Sequence, residues 1–168
     1  MSKSWQHLVR DRWSKLAADN DPRVWISVIN ESQLENQVRA IEARGPHGES
    51  LPLLGLTFAI KDNIDLEDLP TTAGCPEFAF QPKHDAFAVA LLKRAGAIAF
   101  GKTNMDQFAT GLVGTRSPHG ACPNFFNPEY ISGGSSSGSA VAVARDDVDF
   151  ALGTDTAGSG RVPAAYNG

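Results

Sequence analysis

Two cysteines in 168 residues, Cys75 and Cys122, are too few for a disulfide framework. Neither has a partner at metal-ligand spacing, so buried free thiols are expected. Histidine is equally sparse. His7, His47, His84 and His119 stand apart, with no pair at helical ligand spacing, which argues against a metal site. Charge of one sign is also missing: 15 basic and 19 acidic residues leave −4, and no Lys/Arg cluster stands out. That excludes an electrostatic nucleic-acid surface and a polybasic membrane anchor, and points to a small-molecule substrate. The amino terminus runs into charged residues instead of an apolar stretch, so no secretory signal is expected and a cytoplasmic location is the default. An apolar share of 42% suits a soluble globular chain with a real core.

One cofactor pattern needs dismissal. Gly96-Ala97-Ile98-Ala99-Phe100-Gly101-Lys102-Thr103 has the spacing of a phosphate-binding loop, but its four intervening residues read as a buried strand instead of an open loop. No cofactor is expected.

The chain reads as alternating helices and strands. Residues 4–18 and 31–44 are predicted as amphipathic helices, with Ile26, Ile29, Leu34, Val38 and Ile41 near helical intervals. Asn20-Asp21-Pro22 punctuates between them, and Gly45 to Ser50 reads as a turn-rich linker. A strand is expected from Leu53 to Ile60, closing on Lys61, then a helix over 84–94 and a strand over 97–100. Residues 108–122 look irregular. A short helix over 139–145 and a strand over 148–152 complete an α/β layer pattern in one domain.

Two Gly/Ser loops carry the chemistry. The first is Gly133-Gly134-Ser135-Ser136-Ser137-Gly138-Ser139; the second runs from Gly153-Thr154-Asp155 through Thr156-Ala157-Gly158-Ser159-Gly160-Arg161. Each could be a plain flexible turn. They are separated by one helix and one strand, however, so both can reach the same sheet edge, where open α/β sheets bind ligands. A serine nucleophile needs a base and donors for the oxyanion. With no histidine in a persuasive loop, a neutral lysine can serve if burial lowers its pKa. Lys61, at the end of an apolar strand, is the candidate; the competing reading is an exposed lysine paired with Asp62 or Asp65. The small residues Thr156 to Ser159 can present successive backbone N–H groups to one oxygen. Asp155 and Arg161 can pair to stiffen that turn or form a plain surface ion pair.

Together, Lys61-Asp62-Asn63, the Gly133–Ser139 loop and the Gly153–Ser159 loop resemble the amidase signature family of serine amidohydrolases, in the family's order and spacing, from about Leu51 to Gly168. The resemblance implies an α/β fold with a mixed sheet flanked by helices. It implies Ser159 as nucleophile, Ser135 as a bridging serine in cis peptide geometry, and Lys61 as base. Backbone N–H groups of Thr156, Ala157, Gly158 and Ser159 would form the oxyanion hole, with Ser136, Asp155 and Arg161 in support. Its substrates are small-molecule amides, and it allows a homodimer of the full-length enzyme.

Within the family the likeness is strongest to the allophanate-hydrolase branch, carried by Thr71-Thr72-Ala73-Gly74-Cys75-Pro76, by residues Asp106 to Pro118, by Ala157 and by Trp25-Ile26. Another amidase chemistry, such as the glutaminase subunit of an aminoacyl-tRNA amidotransferase, and a non-catalytic remnant are the alternatives. Allophanate bears a carboxylate, for which Arg116 is an available arginine. Two departures stand out. Arg145-Asp146 replaces the Ala-Gly that commonly closes the helix after the first loop. The chain ends nine residues past Ser159, so the reading is an amino-terminal part of one amidase domain, with a helical lead-in over 1–50 and a catalytic core segment over 51–168. Its sheet would be incomplete on the C-terminal side, and the isolated chain would lack pocket walls needed for turnover.

Overall fold

The computed structural model describes residues 4–44 and 50–168, so the linker expected at Gly45–Ser50 lies almost wholly outside the described residues, as does His47. In chain order the elements are α1 (Trp5–Ala18), β1 (Trp25–Val28), α2 (Glu31–Glu42), β2 (Thr57–Lys61), α3 (Phe87–Arg94), β3 (Ile98–Thr103), α4 (Ser137–Ala144), β4 (Phe150–Leu152) and α5 (Arg161–Asn167). The strands form one sheet in the order β1-β3-β2-β4. β2 lies between β3 and β4 and is parallel to both, while β1 is antiparallel to β3, making the mixed α/β sheet expected.

β2 and β3 are buried at every position. Their sequences, TFAIK and IAFGKT, are therefore almost continuously apolar, as two-sided burial requires. α4 packs across β2, β3 and β4, and α2 and α3 lie on β3. Phe58 of β2 stacks on Phe150 of β4 at 5.3 Å between ring centroids, tying the strand pair together from the side-chain layer.

β1 is the element that sequence periodicity did not show. Ile26 falls near a helical interval with Ile29 and Leu34, yet it lies in a strand that pairs with β3. α2 begins at Glu31, as expected, because Asn30 caps it. The Asn30 side chain accepts from Gln33 N–H at 3.0 Å, and the Gln33 side chain accepts from Asn30 N–H at 2.8 Å. A four-residue strand is too short for its period of two to compete with a helical reading. The other boundaries move inward or outward by a few residues: β2 begins at Thr57, α3 at Phe87 and α4 at Ser137.

At the end of α4, Asp146 occupies the left-handed region with φ 60°. Its N–H donates to Val143 O at 2.9 Å and the Asp147 N–H to Ala142 O at 3.0 Å, a Schellman closure built without glycine. The thiols divide. Cys122 is buried and burial pushes its pKa up to about 12, whereas Cys75 is partly exposed, contrary to the expectation of two buried thiols. No described helix is long and apolar enough to cross a membrane.

Candidate active site

Because β2 and β4 are parallel neighbours, their C-terminal ends reach one edge of the sheet. Lys61 closes β2, and Thr154 follows two residues after β4. The chain before α4 arrives at the same edge because α4 can approach closely. A Cβ on Gly138 would fall 2.4 Å from Val24 O and 2.6 Å from Asn104 N, so only glycine permits this contact. The three loops therefore meet where open α/β sheets place their chemistry.

The Lys61 side chain is 0% exposed, which rejects the alternative of a solvated strand-end lysine. Its Nζ donates to Ser135 Oγ at 2.8 Å, to Thr154 Oγ1 at 2.6 Å and more weakly to Thr154 O at 3.5 Å. Asn63 Nδ2 also donates to Thr154 Oγ1, at 3.2 Å. Neither acid suggested as a partner reaches Lys61. Asp62 Oδ2 accepts from Gly74 N–H at 3.0 Å and from the backbone and hydroxyl of Thr72, while Oδ1 faces buried Lys102 at 3.4 Å without hydrogen-bond geometry. Asp65 accepts from the Thr71 hydroxyl at 2.8 Å. Burial lowers the Lys61 pKa from 10.5 to about 8, against the opposing pull of the Asp106 and Asp155 charges. An amine tuned this way is substantially neutral near pH 8.

Lys102 dismisses the phosphate-loop pattern. It is buried in β3, donates to Thr71 Oγ1 at 3.0 Å, and is held with Asp62 inside the protein.

Ser135 is fully buried, and the Gly134–Ser135 peptide bond is cis. Ser136 links the two serine loops: its N–H donates to Ser159 O at 3.0 Å and its hydroxyl to Thr154 O at 3.3 Å. Ser159 is 8% exposed, and its hydroxyl makes no hydrogen bond among the described residues. The structure thus joins Lys61 to Ser135 directly and brings in Ser159 through the backbone, with no hydrogen bond between the two serine hydroxyls among the described residues.

The turn before Ser159 is clamped by Asp155. That carboxylate accepts from the N–H groups of Gly158 (2.7 Å), Gly160 (3.1 Å) and Arg161 (2.9 Å), and from the Arg161 guanidinium through both oxygens at 2.9 Å. The Arg161 hydrogen bonds, first among these causes, hold the Asp155 carboxyl well below the usual carboxylate range. The pairing expected of Asp155 and Arg161 is present. It alters the expected oxyanion donors, because the Gly158 N–H is committed to Asp155. Thr156, Ala157 and Ser159 are the amides of this turn that donate to nothing among the described residues.

Sequence reasoning missed Thr154. It holds the lysine with both its hydroxyl and its carbonyl, and the available signal was a hydroxyl residue just past a strand parallel to β2. Arg116, suggested for a substrate carboxylate, donates from Nη1 to Thr110 O at 2.6 Å and is exposed. Among the described residues no group of three or more His, Cys, Asp or Glu could hold a metal ion.

The Amidase family model matches residues 8–168. A urea amidolyase of Lachancea kluyveri is 57% identical over 154 residues, covering 92% of this chain and 8% of the relative. A glutamyl-tRNA(Gln) amidotransferase subunit of Streptococcus pneumoniae (strain JJA) is 46% identical over 141 residues, covering 83% of this chain and 29% of that protein. Among solved structures, the allophanate hydrolase of Kluyveromyces lactis superposes with a TM-score of 0.89 at 50% identity, over 95% of this chain and 26% of that one. The chain therefore spans under a third of the length of each of these relatives.

Proposed function

The chain belongs to the amidase family, and on that premise we propose that it carries the catalytic relay of an amidohydrolase acting on allophanate (urea-1-carboxylate). Ser159 is the nucleophile, Ser135 the bridging hydroxyl and Lys61 the base. The observation that carries this reading is the 2.8 Å contact between a fully buried lysine, its pKa brought to about 8, and the Ser135 hydroxyl.

Neutral Lys61 takes the proton of Ser135, which takes that of Ser159 as Ser159 Oγ bonds to the carbonyl carbon. The carbonyl oxygen becomes an oxyanion, stabilised by the uncommitted N–H groups of Thr156, Ala157 and Ser159. When the C–N bond breaks, the proton returns along the relay to the leaving nitrogen and ammonia departs. Water then attacks the acyl-serine with the relay as base, releasing N-carboxycarbamate and restoring Ser159. Asp155 and Arg161 keep the donor turn rigid, and Thr154 and Ser136 hold the lysine and the loop.

Substrate choice rests on identity: 57% to a urea amidolyase against 46% to the amidotransferase relative favours allophanate over glutamine. Ammonia release from allophanate, glutamine and simple amides, measured on the full-length enzyme beside fluorophosphonate labelling, tests both layers. The expected result is labelling lost in Ser159→Ala and ammonia from allophanate in preference to the others. Labelling that survives Ser159→Ala overturns the nucleophile, and preference for glutamine overturns the substrate.

A further inference from the structure

Two carboxylates are buried in the described part of the molecule, Asp62 and Asp106. Asp62 faces Lys102; Asp106 has no ion-pair partner among the described residues. Its Oδ2 accepts from Gly114 N–H at 3.0 Å and its Oδ1 from Arg116 N–H at 2.7 Å, while the Arg116 guanidinium turns to Thr110 O. Its own N–H donates to Ser135 O at 3.1 Å. A Cβ on Gly134 would lie 2.1 Å from Asp106 Oδ2, so the carboxylate presses directly on the peptide that introduces Ser135.

Lys61 also lacks an ion pair among the described residues, and its Nζ contacts the same serine through the hydroxyl. Two buried groups of opposite charge, neither neutralised by direct contact, therefore meet at Ser135. The other charges near Lys61 cancel more fully. Asp155 is bound bidentately by Arg161, and Asp62 and Lys102 offset one another. A buried charge left wholly uncompensated is strongly destabilising.

We propose that Asp106 is a positioning residue for the relay, holding Ser135 through the 106–116 loop and supplying the negative charge that keeps the Lys61 amine able to take up a proton. This rests on the reading of Lys61 as base. Burial alone drives a lysine toward an amine too weak as a base to take up the Ser135 proton, and a buried carboxylate across the bridging serine restrains that drift. Because Asp106 is bound by backbone amides instead of a cation, its charge stays available to the lysine.

NMR titration of the full chain labelled with 13Cε-lysine, with Lys61 assigned by its absence in Lys61→Met, tests the proposal without requiring turnover. In the unsubstituted chain the Lys61 midpoint is expected near 8. In Asp106→Asn it should move down by about one pH unit; a folded variant whose midpoint stays put or rises overturns the proposal. The second measurement does not depend on that variant folding. The Asp106 13Cγ resonance of the unsubstituted chain should inflect at the Lys61 midpoint and lose that inflection in Lys61→Met. No inflection overturns the coupling. Coupled titration with Ser159 refractory to a fluorophosphonate would sink the proposed reaction and leave Asp106 standing; Ser159 labelling with uncoupled titration would do the reverse.

Discussion

Replacing Lys61 by methionine should change how stability depends on pH, and the size of the change follows from the burial of one amine. Unfolded, the lysine titrates at 10.5; folded, at about 8. At about 1.4 kcal/mol per unit, the native state bears a penalty of about 3 kcal/mol for holding the charged form at neutral pH. The sign follows from proton counting. Between about 8 and 10.5 the unfolded chain binds more protons than the native one, so stability rises with pH through that window. Below about 8 both states are protonated and the penalty is complete. Methionine keeps the aliphatic bulk but has no proton to exchange, so its contribution is flat. The gap between Lys61→Met and the unsubstituted chain should therefore close, in favour of the latter, by about 3 kcal/mol from pH 7 to 10.5. Lost hydrogen bonds to Ser135 and Thr154 shift the gap by an amount that does not vary below pH 8. Urea titrations followed by the fluorescence of buried Trp25 and its neighbours would read this as about 1–2 M in the midpoint difference. A gap constant across that range would refute the assignment of Lys61 as a desolvated, proton-exchanging amine.

Labelling of Ser159 by a fluorophosphonate should accelerate with pH through a midpoint near 8, where Lys61 becomes neutral; a profile flat from pH 6 to 9 would count against the lysine as base. Asp155→Asn should slow labelling by about 10- to 100-fold with the protein still folded, since the turn loses its hold on Gly158, Gly160 and Arg161, as rate measurements beside circular dichroism would show. Asp146→Gly relieves a left-handed residue at the end of α4 and should raise stability by about 0.5–1 kcal/mol in a thermal melt, less a few tenths for the exposed pair with Arg12. Gly138→Ala should lower stability by about 1–3 kcal/mol or prevent folding, because its methyl has no room beside Val24 O and Asn104 N.

The layer pattern, the two serine loops and Lys61 as a candidate base were legible in residue order alone. Those signals are local: apolar runs of strand length mark β2 and β3, and glycine and serine in succession mark the turns. Residue order also showed why the phosphate-loop spacing was misleading, since Ala97 to Phe100 are strand residues. β1 escaped because four residues carry too little period to outweigh the helical spacing around them. Lys61 stayed ambiguous for a different reason. A lysine beside Asp62 and near Asp65 has ready partners along the chain, and nothing local reveals that Asp62 turns to Lys102 and the Thr72–Gly74 turn while Asp65 turns to Thr71.

Contacts between distant segments make the lysine dry, give its hydrogen bonds to Thr154 and Ser135, and commit the Gly158 amide to Asp155. Asp106 is the clearest case: in sequence it is one acid in an irregular stretch, and in the fold it is a buried charge against the peptide before Ser135. Residue types and their order limit which reactions a chain can support. Which groups lose water, and which opposite charge they then feel, depends on contacts between segments dozens of residues apart, because desolvation and charge coupling are set by distance in space.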